Sequence, residues 1–595
     1  MNMKVVSVVI GAFALVGAVR AADRFVSDDG TWVMPGKEGT GYATLQDAIK
    51  AARDGDTVWV KNGYVCDSGT MVAWSSQTNR IWIENKRITV RSEYGYVDEA
   101  AGKVATIRGM WDGKTDNPDF RCTPVFVSGT DAAVLQGFVI ENGYGQQNVS
   151  WAGGGVRNSS GATVSNCVVR NCKCARGGGI CGGKVYNTVV TNCTVKSDGD
   201  GSCIYGATRV ISCYLADGKV KPALQWGGTT DELFVSNTTV TCSAGGVYAG
   251  GTIPNLQIVD SYVSNNVAAA DGAGLRGDTN ARIKVLRTKI FDNWCEGSGN
   301  YRGGGAYCCD LTKCDLVGNI CKNGSGGAAY GCALTDCQVI SNQTTRVSSS
   351  GAGAGACGCT LTNCVVAFNA NTNTAWAGSC FGGGIDSSTA VNCRIYGNVS
   401  PYAGGGASSS TLYNCIVTNN VESGDGAGGG GAYNCVCYNV LFAKNWSYRG
   451  AGGLHVSSYP TACAVNCTFA ENVIKGGLGG FRNVPLVENS ISWGNTGTYD
   501  PDSCEVCRNS CIQKLSATTE SSGVINTDPM FKTVDGLAYV PGARACRNVV
   551  TPADWMTDPN DARSKDVYGN PRVSGEKADF GAVEALLKGL CIFVR

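Results

Sequence analysis

From about residue 131 to 500 apolar and polar positions alternate over short runs, and helical spacing of apolar residues is absent. One phrase recurs: an apolar residue, a spacer, often Asn, a small residue, then an apolar residue and a further Asn. Leu361-Thr-Asn-Cys-Val-Val-Ala-Phe-Asn369, Leu412-Tyr-Asn-Cys-Ile-Val-Thr-Asn-Asn420 and Ala464-Val-Asn-Cys-Thr-Phe-Ala-Glu-Asn472 show it. With the small residue as anchor, Gly137, Cys167, Thr188, Cys213, Thr238, Ser261, Thr288, Cys314, Cys337, Cys364, Cys393, Cys415, Val440, Cys467 and Ser490 align at gaps of 21 to 30 residues, with a mean near 25. Strands this short bury one face inside a coil and leave the other in solvent. Their recurrence predicts an all-β chain wound as a parallel solenoid, each coil adding a rung to long sheets.

The Asn before the anchor suits a tight bend, because Asn tolerates the left-handed conformation and its amide can bond the equivalent Asn one rung away. The anchor alternates among Cys, Thr, Ser, Gly and Val, which reads as a demand for small volume at an inward position, with Cys as a small buried residue. Stacked thiols in register point the same way, so the ladder cysteines are expected to stay free. A second marker, Gly-Gly-Gly-apolar, precedes the first strand of many coils, as in Gly153 to Val156, Gly177 to Ile180, Gly303 to Ala306, Gly382 to Ile385 and Gly404 to Ala407. Together the two phrases resemble the repeats of polymorphic outer-membrane proteins and of pectate-lyase-like proteins. That resemblance covers residues 131–500 and implies a right-handed parallel β-helix.

The ends read differently. Met1 to Ala22, with Lys4, an apolar run over Val5 to Val19 and small residues at Ala21 and Ala22, reads as a secretory signal peptide over 1–21, too short to span a membrane. Residues 22–130 are expected to hold the N-terminal cap and first coils; Thr44-Leu-Gln-Asp47 has the form of a helix start, and Gly55 of its stop. Residues 501–595 form the other cap. There Thr527 to Phe531, Asp566-Val-Tyr-Gly-Asn-Pro-Arg572 and Asp579-Phe-Gly-Ala-Val-Glu584 resemble the closing region of the choice-of-anchor Q family, which implies retention at a cell surface. No barrel-length segment follows Glu584 in this sequence, unlike the polymorphic outer-membrane proteins.

Charge and chemistry narrow the function. The 49 basic and 48 acidic side chains leave +1, so no global field recruits nucleic acid or an anionic membrane. His455 is the single histidine, which excludes multi-histidine metal or catalytic centres; alternation in Gly453-Leu-His-Val456 points it outward, toward solvent. The same register predicts an outward row with one residue per coil: Arg157, Cys181, Tyr248, Arg276, Tyr307, Asp386, Ser408, Tyr433, His455 and Arg482. Glycoside hydrolysis needs two carboxyl groups, and this row carries one, Asp386. The resemblance implies, as the alternative, a polysaccharide lyase with Arg157 or Arg276 as base beside calcium.

A parallel row ahead of the Gly corners, Trp151, Tyr301, Trp376, Tyr402 and Tyr448, is either packing over the corner or a ligand platform. Asp198-Gly-Asp-Gly-Ser202 offers Asp198 and Asp200 as calcium ligands, although it lacks the closing Glu of a helical calcium loop and reads first as a plain turn. Cys504, Cys507 and Cys511, with Cys546, read as disulfides of the cap ahead of a zinc site. The expectation is an exported or surface-held protein that takes no resident cofactor and binds a polysaccharide or cell-surface glycan through Arg and Tyr side chains at regular rungs, with a purely structural surface element as the third reading. The mature chain should have no membrane span, and its oligomeric state is not legible in the sequence.

Overall fold

The computed structural model describes residues 21–585, apart from 69–70, 73–77, 115, 117–119, 130–131, 146–152, 159–160, 227–232, 251–255, 298, 346–350, 373–379, 498–501 and 517. The expected signal peptide therefore lies almost wholly outside the described residues, as do Trp151 and Trp376. The bend chemistry of the repeat builds everything else. Left-handed backbone recurs every five residues within a coil, at Ser387, Asn392 and Gly397, then Ser409, Asn414 and Asn419, then Asn434, Asn439 and Lys444. Between bends lie three-residue strands such as Thr389–Val391 and Arg394–Tyr396. Each five-residue unit turns two side chains inward, a small polar one at the corner and an apolar one in mid-strand. Cys393 and Ile395, for example, are both buried.

Stacking these coils gives a right-handed parallel β-helix with about 25 residues per coil. We label its four long sheets I to IV, and a coil visits them in the order III, I, II, IV. In one coil Ile385–Asp386 belongs to sheet III, Thr389–Val391 to sheet I, Arg394–Tyr396 to sheet II and Val399–Ser400 to sheet IV. Sheet I carries 21 strands, whereas sheet IV has nine and begins only at Val267–Ala268. The interior between them is one continuous apolar column that includes Val366, Ile395, Val417, Phe442 and Phe469.

Three ladders run inside the corners. At the turn into sheet II the anchor residues stack as expected, but volume is only half of their requirement. Cys314 N–H donates to Cys337 Sγ on the next coil at 3.4 Å, and each Sγ reaches back to the carbonyl two residues earlier, Cys314 to Thr312 at 3.3 Å. The same pattern joins Cys332, Cys359, Ser388 and Ser410 at the turn into sheet I. Cys, Ser and Thr share one atom that both accepts and donates, which Ala lacks, so the anchor satisfies a backbone N–H that the bend takes out of the sheet. Cys504, Cys507, Cys511 and Cys546 are free thiols, which corrects the expected cap disulfides. Among the described residues no three His, Cys, Asp or Glu side chains gather to hold a metal ion.

The third ladder, at the turn into sheet IV, is made of fully buried Asn: 266, 293, 319, 342, 369, 398, 420, 445 and 472. Asn369 Nδ2 donates to Asn398 Oδ1 and to Val339 O, both at 2.9 Å. Its Oδ1 accepts from Asn342 N at 2.9 Å and Asn342 Nδ2 at 3.0 Å, so each buried amide is saturated. A counterpart links the Asn before the anchors, where exposed Asn392 accepts from Asn414 at 3.1 Å and buried Asn439 donates to Asn414 at 2.9 Å.

At the N-terminal end helix α1, Leu45–Ala51, starts at Thr44, which caps Asp47 N–H, and drives Leu45, Ala48 and Ile49 into the column. Its end is held less by Gly55 than by Lys86, whose ammonium donates to the carbonyls of Ile49, Lys50 and Ala52 at 2.6–2.8 Å. The C-terminal region folds back along the outer face of sheet II. Val540, Val567 and Ala582 cover Leu441 and Ala443, while Arg563 sits between Tyr438 and Trp555. Behind this seam Arg572 is fully buried beside Glu584, whose carboxyl is pushed up to about 8 by burial.

Candidate functional site

Each Gly corner turns the chain from sheet IV into sheet III, and the residue just after the apolar position points away from the column. The first Gly of the marker has a left-handed backbone, as at Gly177, Gly303, Gly326, Gly382 and Gly404. The second is held small by close approach: a Cβ on Gly304 would lie 2.4 Å from Ile320 O. The outward residues that follow register one above another, so the expected row exists, from Arg157 through Cys181, Tyr248, Arg276, Tyr307, Asp386, Ser408, Tyr433 and His455 to Arg482. Six members escaped the sequence reading: Trp82, Phe126, Tyr205, Gln225, Tyr330 and Cys357. Tyr205, Tyr330 and Cys357 follow degenerate markers, Gly201-Ser-Cys-Ile204, Gly326-Gly-Ala-Ala329 and Gly353-Ala-Gly-Ala356, which have in common only the left-handed first Gly.

Accessibility divides the row. From Arg157 to Tyr330 its residues are half-buried except Gln225, and they stack. The Arg157 guanidinium lies 4.7 Å over Phe126 and that of Arg276 lies 4.7 Å over Tyr248. Tyr307 and Tyr330 stack at 5.9 Å with planes 16° apart, and Arg302 covers both rings. Asp271 fixes Arg302 through bonds from its N at 2.8 Å and Nη2 at 2.9 Å, and this carboxylate raises the Arg302 pKa. Burial pushes the Tyr205 and Tyr307 phenols up and the Arg157 guanidinium down.

From Cys357 to His455 the row still points outward but is covered, which corrects the solvent-facing expectation for His455 and the accessible one for Tyr433. Tyr433 is 7% exposed, stacked under Phe381 at 6.2 Å and hydrogen-bonded to Ser457. His455 is 8% exposed beneath the backbone of Gly450; burial and then Arg482 lower its pKa to about 4. Asp386 is 6% exposed, accepts from Ser387 Oγ at 2.7 Å, and is pushed upward by burial. Its rung neighbours are Cys357 and Ser408, so no second carboxylate of the row stands beside it.

The row ahead of the Gly corners is packing at the described positions. Tyr301 lies against Cys295 and Cys321, Tyr402 meets the edge of Phe381 at 5.3 Å, and Tyr448 sits edge-on to Trp446 with Lys475 over its ring. The plain-turn reading of Asp198 to Ser202 is corrected in its first half, while the side chain of Asp198, one of the two calcium candidates, lies outside the described residues. Residues Thr194–Asp200 form a strand, and Asp200 is taken by Arg176 at 2.9 Å and by Gln225 Nε2 at 2.7 Å.

Fold and row together define a right-handed parallel β-helix with an outward ladder of aromatic and guanidinium groups on one sheet. No family model matches the chain, and no curated protein does. Among solved structures it is similar to the Dettilon tailspike protein, at 12% identity over 60% of this chain and 69% of that one, with a TM-score of 0.22. It is similar to XylC in complex with xylose, at 9% identity over 96% and 99% with a TM-score of 0.21. It is similar to pectate lyase Pel9A, at 11% identity over 95% and 97% with a TM-score of 0.17.

Proposed function

We propose that this protein is an exported or surface-held β-helix that binds an extended glycan along the open half of the sheet III row, in the manner of an adhesin and without chemistry. The observation that carries the reading is the uninterrupted register from Arg157 to Tyr330, in which six of the eight rungs carry a half-buried Tyr or Arg side chain. Rungs rise about 4.8 Å each, so these eight span roughly 34 Å, and the rise is comparable to one sugar unit of an extended chain. Sugar rings present apolar faces to Tyr and hydroxyls to Arg, and many modest contacts along a line sum to useful affinity. Asp386 fits no catalytic role in this reading, because it is covered and alone.

A polysaccharide lyase is the second reading, favoured by Arg157, whose guanidinium burial holds below its ordinary range, as a proton-abstracting base requires. The test is to incubate residues 22–595 with acidic and neutral polysaccharides while recording retention, unsaturated products and reducing ends together. Retention without product is expected. Product that disappears in Arg157→Ala alone overturns the binding reading in favour of the lyase, and neither retention nor product leaves no glycan role.

A further inference from the structure

Between the open half of the row and the first strand of sheet IV lies a cleft of about 380 Å³. Gln225, Tyr248 and Arg276 form its sheet III side, and the small residues Gly245, Gly246 and Ala268 line the corner wall beside them. Its charges do not cancel. Asp271, the one carboxylate in the lining, is taken by Arg302 at 2.9 Å, and nearby Asp200 is taken by Arg176 at 2.9 Å. Gln225 is fixed as well, its amide donating to Asp200 and its carbonyl accepting from Gly201 N at 3.1 Å. Arg276 and Lys221 remain, and among the described residues neither forms an ion pair. Arg276 is held in place by stacking on Tyr248 at 4.7 Å, and Lys221 stands half-exposed in the same lining.

We infer that this cleft takes a negatively charged sugar unit, carboxylated or sulfated, of a glycan lying along the row. The inference rests on the glycan-binding reading above and adds to it the class of sugar. A guanidinium anchored on an aromatic face presents its remaining donors in a fixed plane, which matches the paired oxygens of a carboxylate or sulfate. Lys221 supplies a second charge without fixed geometry. A neutral sugar would leave both cations without a counter-charge, and the glycine and alanine wall leaves room for the ring itself.

The experiment uses the full chain and affinity electrophoresis against polyuronates, each beside its carboxyl-reduced form, and against dextran sulfate beside dextran. The charged member of at least one pair should bind about tenfold tighter than its neutral partner. Arg276→Gln should remove most of that preference and Lys221→Gln a smaller part, read as the ratio of charged to neutral affinity, in which any loss of row binding common to both members cancels. Arg276→Lys should restore only part, because it returns the charge without the plane. Which pair responds separates carboxylate from sulfate. Equal affinity for charged and neutral members, or a preference untouched by Arg276→Gln, overturns this inference and leaves the glycan reading in place. If no glycan of any kind is retained, the glycan reading itself fails and the inference with it.

Discussion

Asn369 shows what a single side chain contributes to this fold. Its amide has two donors and two acceptor sites inside the column, and all are used on neighbouring coils. Asn369→Ala leaves Asn342 Nδ2, Val339 O and Asn398 Oδ1 each short of a partner in a dry interior. The expected cost is about 2–4 kcal/mol, read as a shift in the denaturant midpoint. Lys313 is the converse case, an exposed Lys in a left-handed bend whose neighbours on adjacent coils are Arg287 and Asp336. Lys313→Asn relieves the conformation and should stabilise by about 0.5–1 kcal/mol, while Lys284→Asn on a sheet I strand should not.

The cysteines give the chain an alkaline limit. Burial pushes the Cys167 and Cys213 thiols up to about 11 and Cys435 up to about 12. An unfolded thiol releases its proton near 8.5. Above that pH the folded chain therefore holds more protons than the unfolded one. The stability is fully present below about pH 8.5 and is lost as pH rises toward 11. Melting temperature should fall across that window. Cys213→Thr, which matches Thr188 and Thr238 at the same anchor, should soften the fall and keep the ladder.

At the scale of elements, the sequence made the 25-residue coil and the anchor positions legible, because they recur with one apolar period. It hid the five-residue unit beneath them, since its left-handed position accepts Asn, Ser, Gly, Lys or Phe, as Phe368 shows, and composition alone does not mark it. The interior Asn ladder was in view in the phrases ending Asn369, Asn420 and Asn472, yet nothing local distinguishes a buried Asn from a turn Asn. Accessibility was illegible for a different reason. Tyr433 and His455 point outward as alternation requires, but Phe381 and Ser457 reach Tyr433 from other coils and the corner at Gly450 lies over His455 from its own. That cover has a pH signature. His455 is held neutral to about 4, whereas an unfolded His protonates near 6.5. Stability contributed by this element is complete above pH 6.5 and falls by about 3 kcal/mol on approaching pH 4. His455→Gln should flatten acid melting profiles over that window, whereas an unchanged slope would remove His455 from the account.

For the whole molecule, one coil geometry serves two ends. The C-terminal region closes the outer face of sheet II around Leu441 and Ala443, and the corner segments close sheet III from Cys357 to His455. The stretch of sheet III from Arg157 to Tyr330 stays accessible, and we assign it to a glycan. Its aromatic centre is the stacked pair, and Tyr307→Ala with Tyr330→Ala should weaken retention about tenfold or more with melting little changed. Tyr413→Ala, on another sheet, should leave retention intact.

The central claim is where the ligand lies, and hydrogen exchange on the full chain with and without a retained polysaccharide reads that directly. The account predicts added protection confined to the sheet III strands from Val156–Asn158 to Ala329–Tyr330 and to the cleft wall at Val267–Ala268. Protection that centres on sheet I or sheet II, or on the coils beyond Ile385–Asp386, would contradict it.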